Sequence, residues 1–458
     1  MAPEDNNVGA DCRNRIRVAW GGLSLNPCMG EGAARALRLL PLEPMQSAIV
    51  QGIDSPAMRR AGRELLSVAL MDARNHSLHV MGLLGATLEA RDFAVPQLPE
   101  LNPPLWELGH VGWFQEWWIA RNMQRQRGRR GDGQAARLVS AEPAADRYWS
   151  DNLVPHAARW QIALPGLAQT RDYLLATLET TLELLEKADD DDAAFYFYRL
   201  ALFYEDQRGE ALITMAQTLG LAMPLAVPGP MASLQPVSIG GARWRLGVDG
   251  SDGFVFDNEY GACDVVVPEF EIDAQPVVWS QFVEFVDDGG YDRPELWHPQ
   301  GWVWLEQQSA GSGGRAPRYV DQIGVASGAV MQTRFGTPRR MLGGQPVMHV
   351  TWWEADAWCR WAGRRLPAEV EWEMAAHMGA RRGFRWGAVW EWTGSSARVY
   401  PGFAPGPSAM VDAPQPGGQR VMRGASFATR ERMKHPKFRS FQLPGADHLF
   451  VGFRSCAA

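Results

Sequence analysis

The spacing of apolar positions changes once along this chain, and the change divides it in two. Between residues 56 and 90, Leu65, Leu66, Val68, Leu70, Leu78, Val80, Leu83 and Leu84 recur among polar residues at helical spacing. Pro103 and Pro104 open a second helix whose inner stripe is Trp106, His110, Trp113 (or Phe114) and Trp117. Two more helices are predicted over about 167–187 and 192–219, parted by the acidic turn Asp189 to Asp192. Residues 222–237 carry Pro224, Pro228, Pro230 and Pro236 and read as a linker.

Beyond 238 the pattern shortens to strands and turns: Ala242–Val248, Gly253–Phe256 and Cys263–Phe270, then a helix over about 279–287. Pro346 to Val350 reads as a short strand. Thr351 is the expected N-cap of the next helix, with Glu354 at capping-box spacing, and Gly363 its stop. Glu369 and Glu371 lie in the first turn of a further helix after Leu366-Pro367. The expected class is α+β: a helical bundle over 55–221, a linker, and a loop-rich α/β domain over 238–458. Residues 1–54 are expected to be a poorly ordered extension.

With 458 residues, the chain is too long for one ordinary core. Its 46% hydrophobic and 21% charged content is that of a globular protein. A net charge of −7 gives no footprint for nucleic acid, and the arginine-rich run from Arg121 to Arg130 reads as a solvated loop. No apolar run reaches the roughly 20 residues of a membrane span. The five cysteines (12, 28, 263, 359, 456) are scattered with no C-x-x-C, which favours a reduced, cytoplasmic setting. The twenty Trp cluster around 106–118, 297–304, 352–361 and 386–392. Most serve packing; as a group they are suited to lining a pocket for a cationic ligand.

Several polar residues sit where packing alone would not put them. His110 lies on an apolar stripe. His76 and His79, three apart with no third ligand at hand, read as structural or solvent-facing. Tyr148 to Asn152 and His156 to Trp160 read as a loop over a site. On the last bundle helix Phe197, Leu200, Ala201, Tyr204, Arg208, Ala211 and Met215 form one stripe. An arginine there must be paired, snorkelled or functional, because an unpaired buried charge is costly.

Residues 345–376 closely resemble the formylglycine-generating-enzyme (sulfatase-modifying-factor) fold family. Val389-Trp390-Glu391-Trp392-Thr393, Arg423-Gly424-Ala425-Ser426-Phe427 and Gly452-Phe453-Arg454 follow in that family's order. A DinB-like bundle carrying Leu108-Gly109-His110 ahead of such a domain is similar to the ergothioneine-pathway sulfoxide synthases, over about 55–456. His156 to Trp160 and Lys434 to Phe441 look like the selenoneine synthase branch. There Ser440, Phe441 and Gln442 stand where the ergothioneine branch tends to have an acidic residue near position 442.

The resemblance implies a non-haem Fe(II), O2-dependent synthase that joins a selenosugar or a thiol to the imidazole of hercynine (trimethylhistidine). It assigns His110 as one of three iron-ligating histidines. The other two come from a His-Glu-x-x-His-x-Glu motif, which here reads Tyr204-Glu205-Asp206-Gln207-Arg208-Gly209-Glu210. Three readings follow. In one, the iron uses other ligands: His110, Tyr204 and Glu107 or His79. In another, the chain is a metal-free relative that keeps the pocket, with Arg208 substituting for the metal's charge. In the third, this copy has drifted at the site. By the same resemblance Gln207 contacts the hercynine imidazole and Tyr400 is an acid. His156, Arg159, Trp160 and Gln442 bind substrate, and Ser440 and Phe441 line the trimethylammonium end, with hercynine lying between the two domains.

Overall fold

The computed structural model describes residues 52–250, 253–311, 315–324, 329–403, 405–406, 414 and 417–458. The expected extension, save its last residues, lies outside them. The chain forms two compact units. One holds Asn102–Arg208 with the described residues up to Met81; the other holds Gly82–Leu101 and Gly209–Ala458. The expected boundary at 222 is therefore not where contacts divide. The end of the last bundle helix goes with the second unit, and so does the proline-rich stretch, where Met231 N–H donates to the Gly344 carbonyl at 2.8 Å.

The first unit is built on α1 (Arg63–Leu88) as far as Met81, α2 (Pro104–Trp118), α3 (Ala145–Trp149), α4 (Leu167–Glu186) and α5 (Asp192–Thr218) as far as Arg208. A buried polar pin joins four of them. The Arg74 guanidinium of α1 donates to Glu205 of α5 at 2.8 and 3.2 Å, to Gln115 of α2 at 2.7 Å, and to the Leu174 carbonyl of α4. Such a pin costs desolvation but fixes helix register, because any slip leaves a buried charge unpaired.

The second unit adds four small sheets. The first two have orders β1-β4-β13-β8 (Val237–Ile239, Phe270–Ile272, Cys456–Ala457, Arg364–Arg365) and β11-β10-β9-β12 (Arg439–Gln442, Arg420–Gly424, Trp390–Ser396, Val451–Phe453). The others are the pair β2-β3 (Ala242–Leu246, Cys263–Val267) and the meander β5-β6-β7 (Val320–Gly324, Ala329–Arg334, Thr337–Met341). Helices α6 (Trp279–Asp287), α7 (Pro299–Gly311), α8 (Trp352–Trp361) and α9 (Glu369–Met378) complete it. The capping box forms as expected: Thr351 Oγ1 accepts from Glu354 N–H at 3.1 Å, and Glu354 accepts from Thr351 N–H at 2.7 Å.

Three strand expectations need correction. Cys263–Phe270 is two strands, broken at Pro268, which cannot donate to a ladder. Gly253–Phe256 is irregular; Phe254, Val255 and Phe256 are all buried instead of alternating, and Phe256 N–H is captured by Glu259 at 3.1 Å. Pro346–Val350 is no strand either, because His349 adopts φ +64°, in the left-handed region. Helix α7 and the β5–β7 meander were not legible in the sequence pattern.

Candidate functional site

Helix α2 is buried along almost its whole length, and Pro104 at its first turn costs it no hydrogen bond. Trp149 presses so closely on Gly109 that a Cβ there would lie 2.1 Å from its indole nitrogen. Glycine, a poor helix residue, is required by that approach. The contact sets the next residue: His110 Nδ1 lies 2.7 Å from the Trp149 carbonyl oxygen. A carbonyl only accepts, so Nδ1 carries the proton and Nε2 is left with its lone pair. Trp106 stacks on the imidazole at 4.4 Å and Trp113 at 5.4 Å.

Nε2 meets Tyr204. The phenol oxygen is 2.7 Å away and donates to the imidazole, while its ring stacks on Phe114 at 3.7 Å. Burial, with Arg208 and Arg159 adding to it, pushes the His110 imidazole down to about 3, so it is neutral. One turn on in α5, the Arg208 guanidinium lies 3.5 Å from Glu107 and 5.6 Å over the Tyr204 ring. Burial opposes its charge, but Glu107, Tyr204 and Asp151 together raise its pKa above the ordinary value. Glu107 accepts from Asn102 at 2.5 Å, and Asn102 accepts from Arg159 at 2.7 Å. Arg159 in turn covers Trp106 at 3.7 Å. The result is a continuous polar chain, Arg159–Asn102–Glu107–Arg208, beside a neutral His–Tyr pair.

These residues do not fit an iron ion. Iron needs several lone-pair donors converging on one point. Here the one available imidazole lone pair is occupied by a phenol proton, and a guanidinium, which has no lone pair to give, holds the third position. Among the described residues no group of three His, Cys, Asp or Glu is placed to hold a metal. The other ligands considered are spoken for or distant from that chemistry. Glu107 is engaged by Arg208 and Asn102, and His79 is exposed.

Gln207 shares the helix face of Tyr204 and Arg208 and is half-buried. His156, Arg159 and Trp160 form one 3-10 turn, with the His156 and Trp160 rings 5.0 Å apart. The helical unit therefore gathers His110, Tyr204, Gln207, Arg208 and Arg159. Asn102 was missed by sequence reasoning, and Trp149, in a stretch read as a loop over a site, instead ends the short helix α3. The paired prolines at 103–104 and the glycine before His110 were the available signals.

The remaining candidates lie in the second unit. Tyr400 is buried, its hydroxyl donating to Glu369 at 3.0 Å beneath the Arg439 guanidinium at 4.0 Å. Burial, with Glu369 adding to it, holds its pKa well above the usual value for a phenol. Glu369 also pairs with Arg423 at 3.2 Å and Arg439 at 2.9 Å. Ser440 and Phe441 are consecutive in β11, so their side chains leave opposite faces of the sheet. Phe441 is buried under Arg439 at 4.7 Å, whereas Ser440 and Gln442 are half-buried on the other face. Ser440 and Phe441 thus present their side chains to opposite faces of β11.

Comparison with known proteins agrees with this architecture. Residues 73–218 match the DinB superfamily, and 233–388 and 385–458 match the sulfatase-modifying factor enzyme 1-like domain. Hercynine oxygenase of Mycolicibacterium smegmatis is 31% identical over 449 residues, covering 86% of this chain and 98% of that protein. Hercynine oxygenase of Mycobacterium tuberculosis is 31% identical over 432 residues, covering 82% of this chain and 97% of that protein. The formylglycine-generating enzyme of Streptomyces coelicolor is 30% identical over 186 residues, 36% of this chain and 58% of that protein.

Proposed function

Because the chain belongs to the hercynine oxygenase family, we propose that it is a metal-free member that binds hercynine without joining it to sulfur or selenium. The observation that carries this reading is the 2.7 Å bond from Tyr204 to His110 Nε2, with Arg208 one turn on. It closes the position at which a metal would be held and supplies a fixed positive charge in its place. The half-buried Gln207 amide offers a donor and an acceptor to an imidazole, and Arg208 and Arg159 suit the betaine carboxylate.

The test is iron analysis of protein purified anaerobically with Fe(II), together with calorimetric titration of hercynine. Expected are no stoichiometric iron, retained hercynine binding, and affinity weakened about tenfold or more by Gln207→Ala. Stoichiometric iron, with O2 uptake that depends on a thiol or selenosugar, would overturn the proposal.

One observation favours a second reading, the Fe(II)- and O2-dependent synthase. His110 donates Nδ1–H to a backbone carbonyl, the outer contact that orients metal-bound imidazoles. In that reading Tyr400 would be the acid, with its proton first released from Glu369. In the helical unit His156, Arg159 and Trp160 would be the residues that bind substrate in that reading.

A further inference from the structure

Far along the sequence from the His–Tyr pair, the second unit buries a cation with no counter-charge among the described residues. Arg334, at the end of β6, is 4% exposed, and its one hydrogen bond among the described residues runs from Nη1 to the Met348 sulfur at 3.0 Å. The carboxylates of Glu100 and Asp447 are already held by Arg318 at 2.9 and 2.8 Å. Burial alone lowers the Arg334 pKa to about 10. An unpaired guanidinium in a protein interior is among the costliest groups a fold can contain, which points to a missing partner.

Two orphan acceptors accompany it. His349, next to Met348, is fully buried and donates Nδ1–H to the Asp447 carbonyl at 3.2 Å, leaving Nε2 as a lone pair without a partner. Burial, and then Arg334, hold this imidazole well below its ordinary pKa, so Nε2 stays an acceptor. Gln332 lies two residues before Arg334 on the same inward face of β6. Its amide nitrogen donates to the Arg318 carbonyl at 3.1 Å, and its oxygen is buried without a partner.

The backbone around these groups is strained. Tyr319, Phe335 and His349 all adopt positive φ (66°, 45° and 64°), and the His349 ring contacts Tyr319 at 4.8 Å and Phe450 at 5.4 Å. Left-handed backbone at three bulky residues is held only where the surroundings over-determine it, and such residues gather at ligand sites.

We propose that Arg334, His349 and Gln332 form a binding site for a small α-amino carboxylate. Arg334 would hold the carboxylate, while His349 Nε2 and Gln332 Oε1 accept from the ammonium. A guanidinium with no carboxylate partner among the described residues, beside two unpartnered acceptors, matches that ligand class. A simple anion would satisfy only the arginine.

The experiment is thermal unfolding of the full chain with glycine, acetate or ethylammonium added at matched ionic strength and osmolality. Saturating glycine should raise the Tm by about 2–4 °C, acetate by less, and ethylammonium not at all. Arg334→Met should abolish the response. If that variant does not fold, Gln332→Leu should erase the advantage of glycine over acetate. Equal responses to all three additives would overturn the proposal and assign the orphan groups to water. A glycine shift that persists in Arg334→Met, or a glycine advantage that persists in Gln332→Leu, would overturn it too.

Discussion

Tyr204 donates its hydroxyl proton to Nε2 of His110 across 2.7 Å, and Trp149 fixes the imidazole from its other nitrogen across 2.7 Å. Both ring nitrogens are thereby satisfied inside the protein. The imidazole has the posture of a metal ligand and no lone pair left to act as one.

Restoring imidazoles at the two changed positions should open the site to metal. Positions 204 and 208 lie one turn apart on one face of α5. The double substitution Tyr204→His, Arg208→His should therefore bind Co(II) stoichiometrically, seen by its d–d absorption, while the wild-type chain does not. A double variant that folds with no Co(II) spectrum would show that more than ligand identity has changed.

Acid should destabilise the chain through His110. Its folded pKa of about 3 lies below the ordinary 6.5, so the unfolded chain takes up the proton first. The stabilisation is complete above pH 6.5 and is lost as pH falls toward 3, at up to about 1.4 kcal/mol per pH unit. Glu354 acts with the opposite sign. Burial, opposed by hydrogen bonds from Tyr291 and Thr351, raises it from 4.5 to about 7, so its contribution is complete below pH 4.5 and fades as pH rises through 7. Urea unfolding from about pH 8 down to about pH 4 should show His110→Asn flattening the acid slope and Glu354→Gln flattening the neutral one.

Gly109→Ala places a methyl 2.1 Å from the Trp149 indole nitrogen. Helix propensity alone would make the change favourable. The clash should instead cost about 1–3 kcal/mol and displace the carbonyl that orients His110. A urea midpoint equal to or above that of wild type would contradict the packing described.

Glu210, near the end of α5, accepts from Ser426 and Thr429 at 2.6 Å each and from Trp390 at 2.9 Å. Glu210→Ala leaves those three donors without their acceptor. The second unit should lose about 2–3 kcal/mol, read from Trp fluorescence in urea, with Glu210→Gln recovering part of it.

The four long helices of the bundle, the capping box at Thr351 and Glu354, and the alignment of Tyr204 with Arg208 follow from local spacing and were legible in the sequence; the short α3 was not. Period and capping depend on residues within one or two turns, which a sequence displays directly. The replacement of two ligand positions by phenol and guanidinium was equally plain. What each replacement touches was not. The polar chain from Arg159 to Arg208 bonds residues up to 101 positions apart; the Tyr400 hydroxyl finds its partner 31 positions upstream. The fates of Ser440 and Phe441 turned on strand pleat, and that of Arg334 on which carboxylates Arg318 had already taken. Sequence determined the long helices, the family and most of the residues around the His–Tyr pair. Only tertiary structure decided their partners, because burial and hydrogen bonding between distant segments have no local signature.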